Sequence, residues 1–193
     1  MLGMGARDTN LTSVLADTHP QKCPAALTKC AGRFVSAILK SIAASDARSE
    51  ENINATENAV STLGKLCKYV GTAAQLDTAR LLTTWLANLP LSEDEMEAEA
   101  SYSLLCDFVG EGHPHIMGAN GANVPRIVNV MATALIGVEG GDGSETVSRD
   151  TCLKIASLLP TMQAGHRAAM GKAWSGLSAA QQQAIRLAMA SRS

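Results

Sequence analysis

Apolar residues three and four apart recur in blocks along this chain, and helix-start or helix-stop residues bound each block. Such a pattern admits little besides packed α-helices. From Pro24 onward, Leu27, Cys30, Phe34, Val35, Ile38, Leu39 and Ile42 build the first stripe. After the polar run 45–52, Asn54-Ala55-Thr56-Glu57 reads as a capping box, and Val60, Leu63, Leu66, Cys67 and Val70 predict a second helix. Leu76 to Leu89 carries Leu81, Leu82, Trp85 and Leu86 and stops at Pro90, which cannot continue a helix. Ser92-Glu93-Asp94-Glu95 reads as another capping box, ahead of a buried face of Ala98, Tyr102, Leu105, Cys106 and Val109.

Beyond the Gly-rich loop Gly110 to Asn123, Asn123 is expected to cap a helix with Pro125 in its first turn and Ile127, Val128, Val130, Met131 and Leu135 on its apolar side. Val147, Cys152, Ile155, Ala156 and Leu159 predict its partner, ended by Pro160, and Met162 to Trp174 a less regular helix. Ser178-Ala179-Ala180-Gln181 predicts the start of the last helix, with Ile185, Leu187 and Met189. Trp85 and Trp174 both lie within stripes and read as core.

The pairs begin near Pro24, Leu76 and Pro125, 52 and then 49 residues apart. That is close to the roughly 40 to 47 residues of a HEAT or armadillo unit, once insertions are allowed for. The expected fold is all-α, an α-solenoid of HEAT-type antiparallel helix pairs, about three and a half repeats long. Residues 1–22 would be the remnant of a preceding repeat, 23–73, 74–122 and 123–160 the repeats, and 161–193 the capping helices. Gln181, Gln182, Gln183 and Arg186 give the last helix the polar side of a cap, whereas Met1 to Gly5 carries no capping sequence. A segment from the C-terminal end of a longer solenoid is therefore expected. An unpartnered face around Leu2, Met4, Leu11, Val14 and Leu15 is expected to self-associate or lie disordered.

Aromatic residues are 3% of the chain, which removes the usual strand formers, and the formal net charge of -2 gives no footprint for nucleic acid or an anionic membrane. Cys23, Cys30, Cys67, Cys106 and Cys152 are odd in number, contain no C-x-x-C pair and fall in apolar helical patterns, so they read as buried thiols of a reducing compartment. The opening residues lack a secretory pattern and no run is long enough to span a bilayer, so a soluble intracellular protein is expected and the sequons at Asn10 and Asn54 read as accidental.

Specific residues also resemble a known family. Glu51-Asn52-Ile53-Asn54-Ala55-Thr56-Glu57-Asn58, followed by Gly64-Lys65, resembles the E-N-x-N-A-T-E-N-x-x-x-x-x-G-K stretch of the importin-β (karyopherin-β) superfamily. Trp85-Leu86-Ala87-Asn88-Leu89-Pro90-Leu91, Glu93-Asp94, Leu105-Cys106-Asp107, His113-Pro114 and Gly118 continue the register. Asn123-Val124-Pro125-Arg126-Ile127, Trp174, Leu177-Ser178, Gln181-Gln182 and Ala184-Ile185 complete it. The likeness covers Cys23 to Ile136 and the last twenty residues; Met1 to Pro20 and Gly137 to His166, with the run Glu139-Gly140-Gly141-Asp142-Gly143, depart from it.

The resemblance implies the C-terminal HEAT repeats of a nuclear import receptor that shuttles between cytoplasm and nucleus. The parent would carry cargo proteins with basic localisation segments through the pores, meet nucleoporins, and release cargo on binding the GTPase Ran. The family's main Ran site lies in N-terminal repeats outside this chain. Neither enzyme activity nor a cofactor is implied. The alternative is a HEAT scaffold or regulatory subunit of another complex, such as a phosphatase or a vesicle coat, because fold alone does not choose a partner.

Several clusters carry residue types capable of chemistry. Cys106, Asp107, His113 and His115 are close in sequence, but a helix stripe and a loop do not supply the spacing of a zinc site, so a solvated loop with His113 capping a neighbouring helix is expected. Cys152 and His166 lack an orienting third group. Gly118-Ala119-Asn120-Gly121 is followed by no Gly-Lys-Ser/Thr and is not a phosphate loop. Glu93, Asp94, Glu95, Glu97 and Glu99 suit a helix N-terminus, and as an acidic face Glu93, Asp94 and Glu97 could also receive basic cargo segments. Asn52, Glu57 and Asn58 are the remaining candidate contacts, as side chains able to bond an extended cargo backbone.

Overall fold

The computed structural model describes residues 25–136 and 147–191, which form nine α-helices and a 3-10 turn. The fold is all-α, with no strand among the described residues. The chain divides into two compact units between Leu81 and Leu82. The apolar face expected around Leu2 to Leu15 and the Gly-rich run 137–144 lie outside the described residues.

In the first unit α1 (Ala25–Ile42) packs on α2 (Ile53–Tyr69). Val60, Leu63, Leu66 and Cys67 of α2 are buried as their stripe predicts, whereas of the α1 stripe Val35 is buried, Cys30, Phe34, Ile38, Leu39 and Ile42 are half-buried, and Ala31, outside the expected stripe, is fully buried. The start of α2 differs from expectation. The helix begins behind Asn52, so Asn54 lies inside the first turn and the capping box at Asn54 and Glu57 does not form. The turns before it do the work of a cap: the Ser49 carbonyl accepts from the Asn52 and Ile53 N–H groups at 3.0 and 2.9 Å. The Asn52 amide donates back to the Asp46 carbonyl and Ser49 Oγ, and the Thr56 hydroxyl donates to the buried Ala47 carbonyl at 2.7 Å.

The third helix, α3 (Thr78–Ala87), is shorter than Leu76 to Leu89, because Asp77 accepts from the Arg80 N–H at 3.1 Å and so begins it. Leu89 and Leu91 remain buried beyond its end. The next helix, α4 (Glu95–Gly110), starts two residues later than the Ser92 box predicts. Burial of Leu91, whose carbonyl accepts from the Tyr102 hydroxyl, keeps the chain non-helical there. Asp94, in extended conformation, is the first side chain able to reach the helix, and it accepts from the Glu97 N–H. Trp85 packs edge-on against Phe108 at 5.7 Å, and Phe108 against His113 at 5.1 Å. The loop before Asn123 is therefore ordered around an aromatic row. It contains α5 (Pro114–Met117) and the turn Ala119–Gly121, and His113 makes no side-chain cap bond.

At the centre of the second unit α6 (Val124–Ile136) buries Val124, Ile127, Val128, Val130, Met131 and Leu135. The Asn123 amide, expected as its cap, donates back to the Ile116 carbonyl at 2.9 Å. Ser148 caps α7 (Arg149–Gly165), accepting from the Thr151 N–H at 3.2 Å. Pro160 does not end α7: Leu159 and Met162 are buried on either side of it and hold the helix through the lost hydrogen bond, while Pro160 faces solvent. The break comes at His166, before α8 (Arg167–Gly176). The capping box of α9 (Ala179–Ala190) forms as predicted, with Ser178 and Gln181 exchanging bonds at 2.9 and 3.2 Å. Extensive contacts join α6 to α8 and α9, and α4 to α7, so the partner expected for α6 in 147–160 is not its main neighbour.

Candidate protein-binding groove

The six candidate contact residues divide between the two units, Asn52, Glu57 and Asn58 in the first and Glu93, Asp94 and Glu97 in the second. Glu57 is buried, with 1% of its area exposed, on the same face of α2 as Ser61 and Lys65 one and two turns on. Asn58 donates to the Asn54 carbonyl at 2.9 Å, and Asn52 is engaged with the preceding turns. In the acidic run Asp94 caps α4, Glu97 is buried, and Glu93 accepts from the Ser92 hydroxyl. Glu99 accepts from the Ser148 N–H at 2.8 Å and from the Ser148 and Thr151 hydroxyls at 2.7 Å each. Most of these polar groups are thus occupied in starting or joining helices.

The chemical clusters also separate. Cys106 is buried in α4, and burial pushes its thiol up to about 12. His113 lies against Phe108 and, at 5.6 Å, His115. No three His, Cys, Asp or Glu among the described residues gather as metal ligands. Cys152 lies in the first turn of α7 and His166 just past its end, about 20 Å apart at the helical rise. No helix among the described residues is long and apolar enough to cross a membrane.

The concave feature that sequence reasoning missed lies at the other end of the chain, within the second unit. Helices α7, α8 and α9 enclose a groove of about 790 Å³ over the floor residue Val128 of α6. From α7 come Leu159, Pro160, Gln163 and Ala164, from α8 Arg167, Met170, Gly171 and Trp174, and from α9 Ile185 and Met189. Spacing explains this convergence. Met170 and Trp174 are one turn apart on α8, as are Ile185 and Met189 on α9, so each pair runs from a buried floor residue to an exposed rim residue.

Trp174, expected in the core, is 36% exposed, and Met189 is 41% exposed, whereas Trp85 is fully buried. The Trp174 ring is steadied from one side by the Arg186 guanidinium, 5.5 Å from its centroid. Gln182 donates to the Trp174 and Leu177 carbonyls, and Gln181 to Thr133 Oγ1 at 3.0 Å, so α9 is tied both to the end of α8 and to α6. The groove walls are held by hydrogen bonds as well as packing. Its lining combines apolar side chains with the Arg167 guanidinium, groups of the kind that interface cores favour.

A signal in the sequence could have pointed here. Between Thr151 and Ser191 the chain has Lys154, Arg167, Lys172 and Arg186 and no Asp or Glu, a charge bias that the overall net charge hides. Lys154 pairs with Asp107 at 3.3 Å, leaving the bias to the last two helices. No protein-family model matches the sequence.

Proposed function

We propose that this chain is the C-terminal helical-repeat portion of a nuclear import receptor of the importin-β superfamily, with residues that resemble importin-5 (karyopherin β3). The parent would bind cargo proteins with basic localisation segments and carry them through nuclear pores under Ran-GTP control. In this reading the chain contributes a HEAT-type stack of protein-binding helices and no catalysis.

The observation that carries the reading is the ordered register of residues from Glu51-Asn52 through Trp85-Leu91 and Asn123-Ile127 to Ala184-Ile185. The all-α fold is compatible with it, and so is the layering of α4 on α7 and of α6 on α8, as alternate helices stack in a helical repeat. Glu57 and Glu97 are too buried to serve as cargo contacts, which leaves exposed Glu95 as the acidic group nearest a basic segment at the start of α4.

The test is a pull-down of cargo by the parent receptor, with and without Ran held in its GTP state. Release of cargo by Ran-GTP is expected. Retention of cargo regardless of Ran-GTP would overturn the reading, and capture of a phosphatase catalytic subunit or vesicle-coat subunits instead would assign the chain to a scaffold of that kind.

A further inference from the structure

We propose that the groove between α7, α8 and α9 receives a short acidic amphipathic helix of another protein, with its large apolar side chains against Met170, Trp174 and Met189 and its carboxylates toward Arg167 and Arg186. This rests on the chain being a protein-binding module and is independent of its role in transport.

Shape selects the mode of binding. The groove is open: Pro160, Gln163, Arg167, Trp174 and Met189 all lie exposed along it, above a floor of buried Val128, Leu159 and Ile185. A small molecule in a pocket of this volume would be mostly enclosed, whereas an open apolar trough accepts one face of a longer ligand. No strand edge exists among the described residues to pair with an extended peptide. Laying the apolar stripe of a helix into the trough is the recognition mode that suits this shape, with anchors at i, i+3, i+4 and i+7.

Composition selects the ligand's side chains. Trp and Arg are enriched where interfaces concentrate their affinity and Met is enriched at interfaces, and a partly exposed Trp beside two Met supplies deformable apolar surface. Charge then selects the sign. Arg167 lines the groove and Arg186 lies over the Trp174 ring. Neither finds a carboxylate among the described residues, and from Thr151 to Ser191 the chain has no acidic residue to offer one. A basic helix would meet two guanidinium groups of its own sign, while an acidic one pairs with both. Gly171, where a Cβ would have nothing within 4 Å, leaves room beside the Trp174 ring for an incoming side chain.

The probe is a surface-displayed library of random peptides of about sixteen residues, long enough for four helical turns, panned on the full 193-residue chain. Binders are counter-screened on Trp174→Ala and on the double variant Arg167→Glu/Arg186→Glu, each checked for native helix content and melting temperature. The expected binders carry apolar residues at helical spacing flanked by Asp or Glu, and lose at least about tenfold in affinity on either variant. Panning on the double charge variant should enrich Lys and Arg instead. Because both arginines are exposed, that variant keeps the test open even if Trp174→Ala fails to fold. The proposal is overturned if no binders emerge, if they are neutral or basic on the native chain, or if they bind both variants undiminished. A Trp174-dependent dimer in sedimentation would likewise overturn it, by giving the groove to a second copy. None of these results depends on Ran, so failure here and failure of the transport reading are separately visible.

Discussion

The Glu99 carboxylate on α4 accepts the Thr151 hydroxyl on α7 at 2.7 Å, across two helices 52 residues apart in sequence. The same carboxylate accepts twice from Ser148, which caps α7. One acidic side chain therefore joins two helices and places negative charge at the N-terminus of the second, where the helix dipole favours it.

Removing that carboxylate should loosen the joint. Glu99→Ala strands three donors at a partly exposed site, and a loss of about 1 to 2 kcal/mol is expected, less than for a fully buried network. Glu99→Gln keeps an acceptor and should lose about half as much. Urea unfolding of the three proteins, compared at equal slope, checks both values.

Gly121 tests how closely the turn before α6 is packed. Its φ is +76°, and a Cβ there would come within 2.4 Å of His166 Nδ1. Gly112 also has a positive φ, +62°, but a Cβ there would meet nothing within 4 Å. Gly112→Ala should therefore cost only the left-handed backbone penalty, about 1 to 2 kcal/mol. Gly121→Ala should cost visibly more, because the ring at the α7–α8 break must also move. Equal midpoints in denaturant for the two variants would refute the claim that the His166 contact matters.

Two buried serines argue in the opposite direction. Ser61 Oγ on α2 and Ser101 Oγ on α4 are buried without a hydrogen-bond partner among the described residues. A hydroxyl desolvated without a partner is a net cost, and removing it leaves little cavity. Ser61→Ala and Ser101→Ala should each leave stability unchanged or raise it by up to about 1 kcal/mol. Thermal melts of the single variants are sufficient to read this.

Much of the fold is legible from spacing. The stripes of α2, α4 and α6 are buried where the three-and-four pattern places them, that of α1 only at Val35, and the Ser178–Gln181 box forms as written. Helix starts were harder to read, because several side chains can compete for the same amides: Asp94 displaces Ser92, and backbone turns displace Asn54. Pro160 misleads because tertiary packing of Leu159 and Met162 outweighs one lost hydrogen bond. The groove was the least legible feature. Trp174 occupies a stripe position like that of Trp85, yet Trp85 is covered, with Phe108 against it, while Trp174 lies at the rim of the groove.

Cys67 and Cys106 supply a pH dependence. Burial pushes both thiols up to about 12 from an ordinary 9.0, and at Cys106 the opposing charge of Lys154 does not reverse this. Above pH 9 the unfolded chain releases these protons while the folded chain still holds them, so the unfolded state binds fewer protons and stability falls as pH rises. The contribution is fully present below about pH 9 and is lost progressively up to about pH 12, by at most about 1.4 kcal/mol per pH unit for each thiol. Lysines and tyrosines titrate in the same window, so the comparison of interest is with Cys106→Ala. That variant should be less stable than the native chain at pH 7 and should lose stability less steeply between pH 9 and 11. Parallel stability curves would mean that the Cys106 thiol is not held protonated by burial. In the folded chain at pH 8 the same burial should keep both thiols unmodified by a soluble alkylating reagent, until denaturant exposes them.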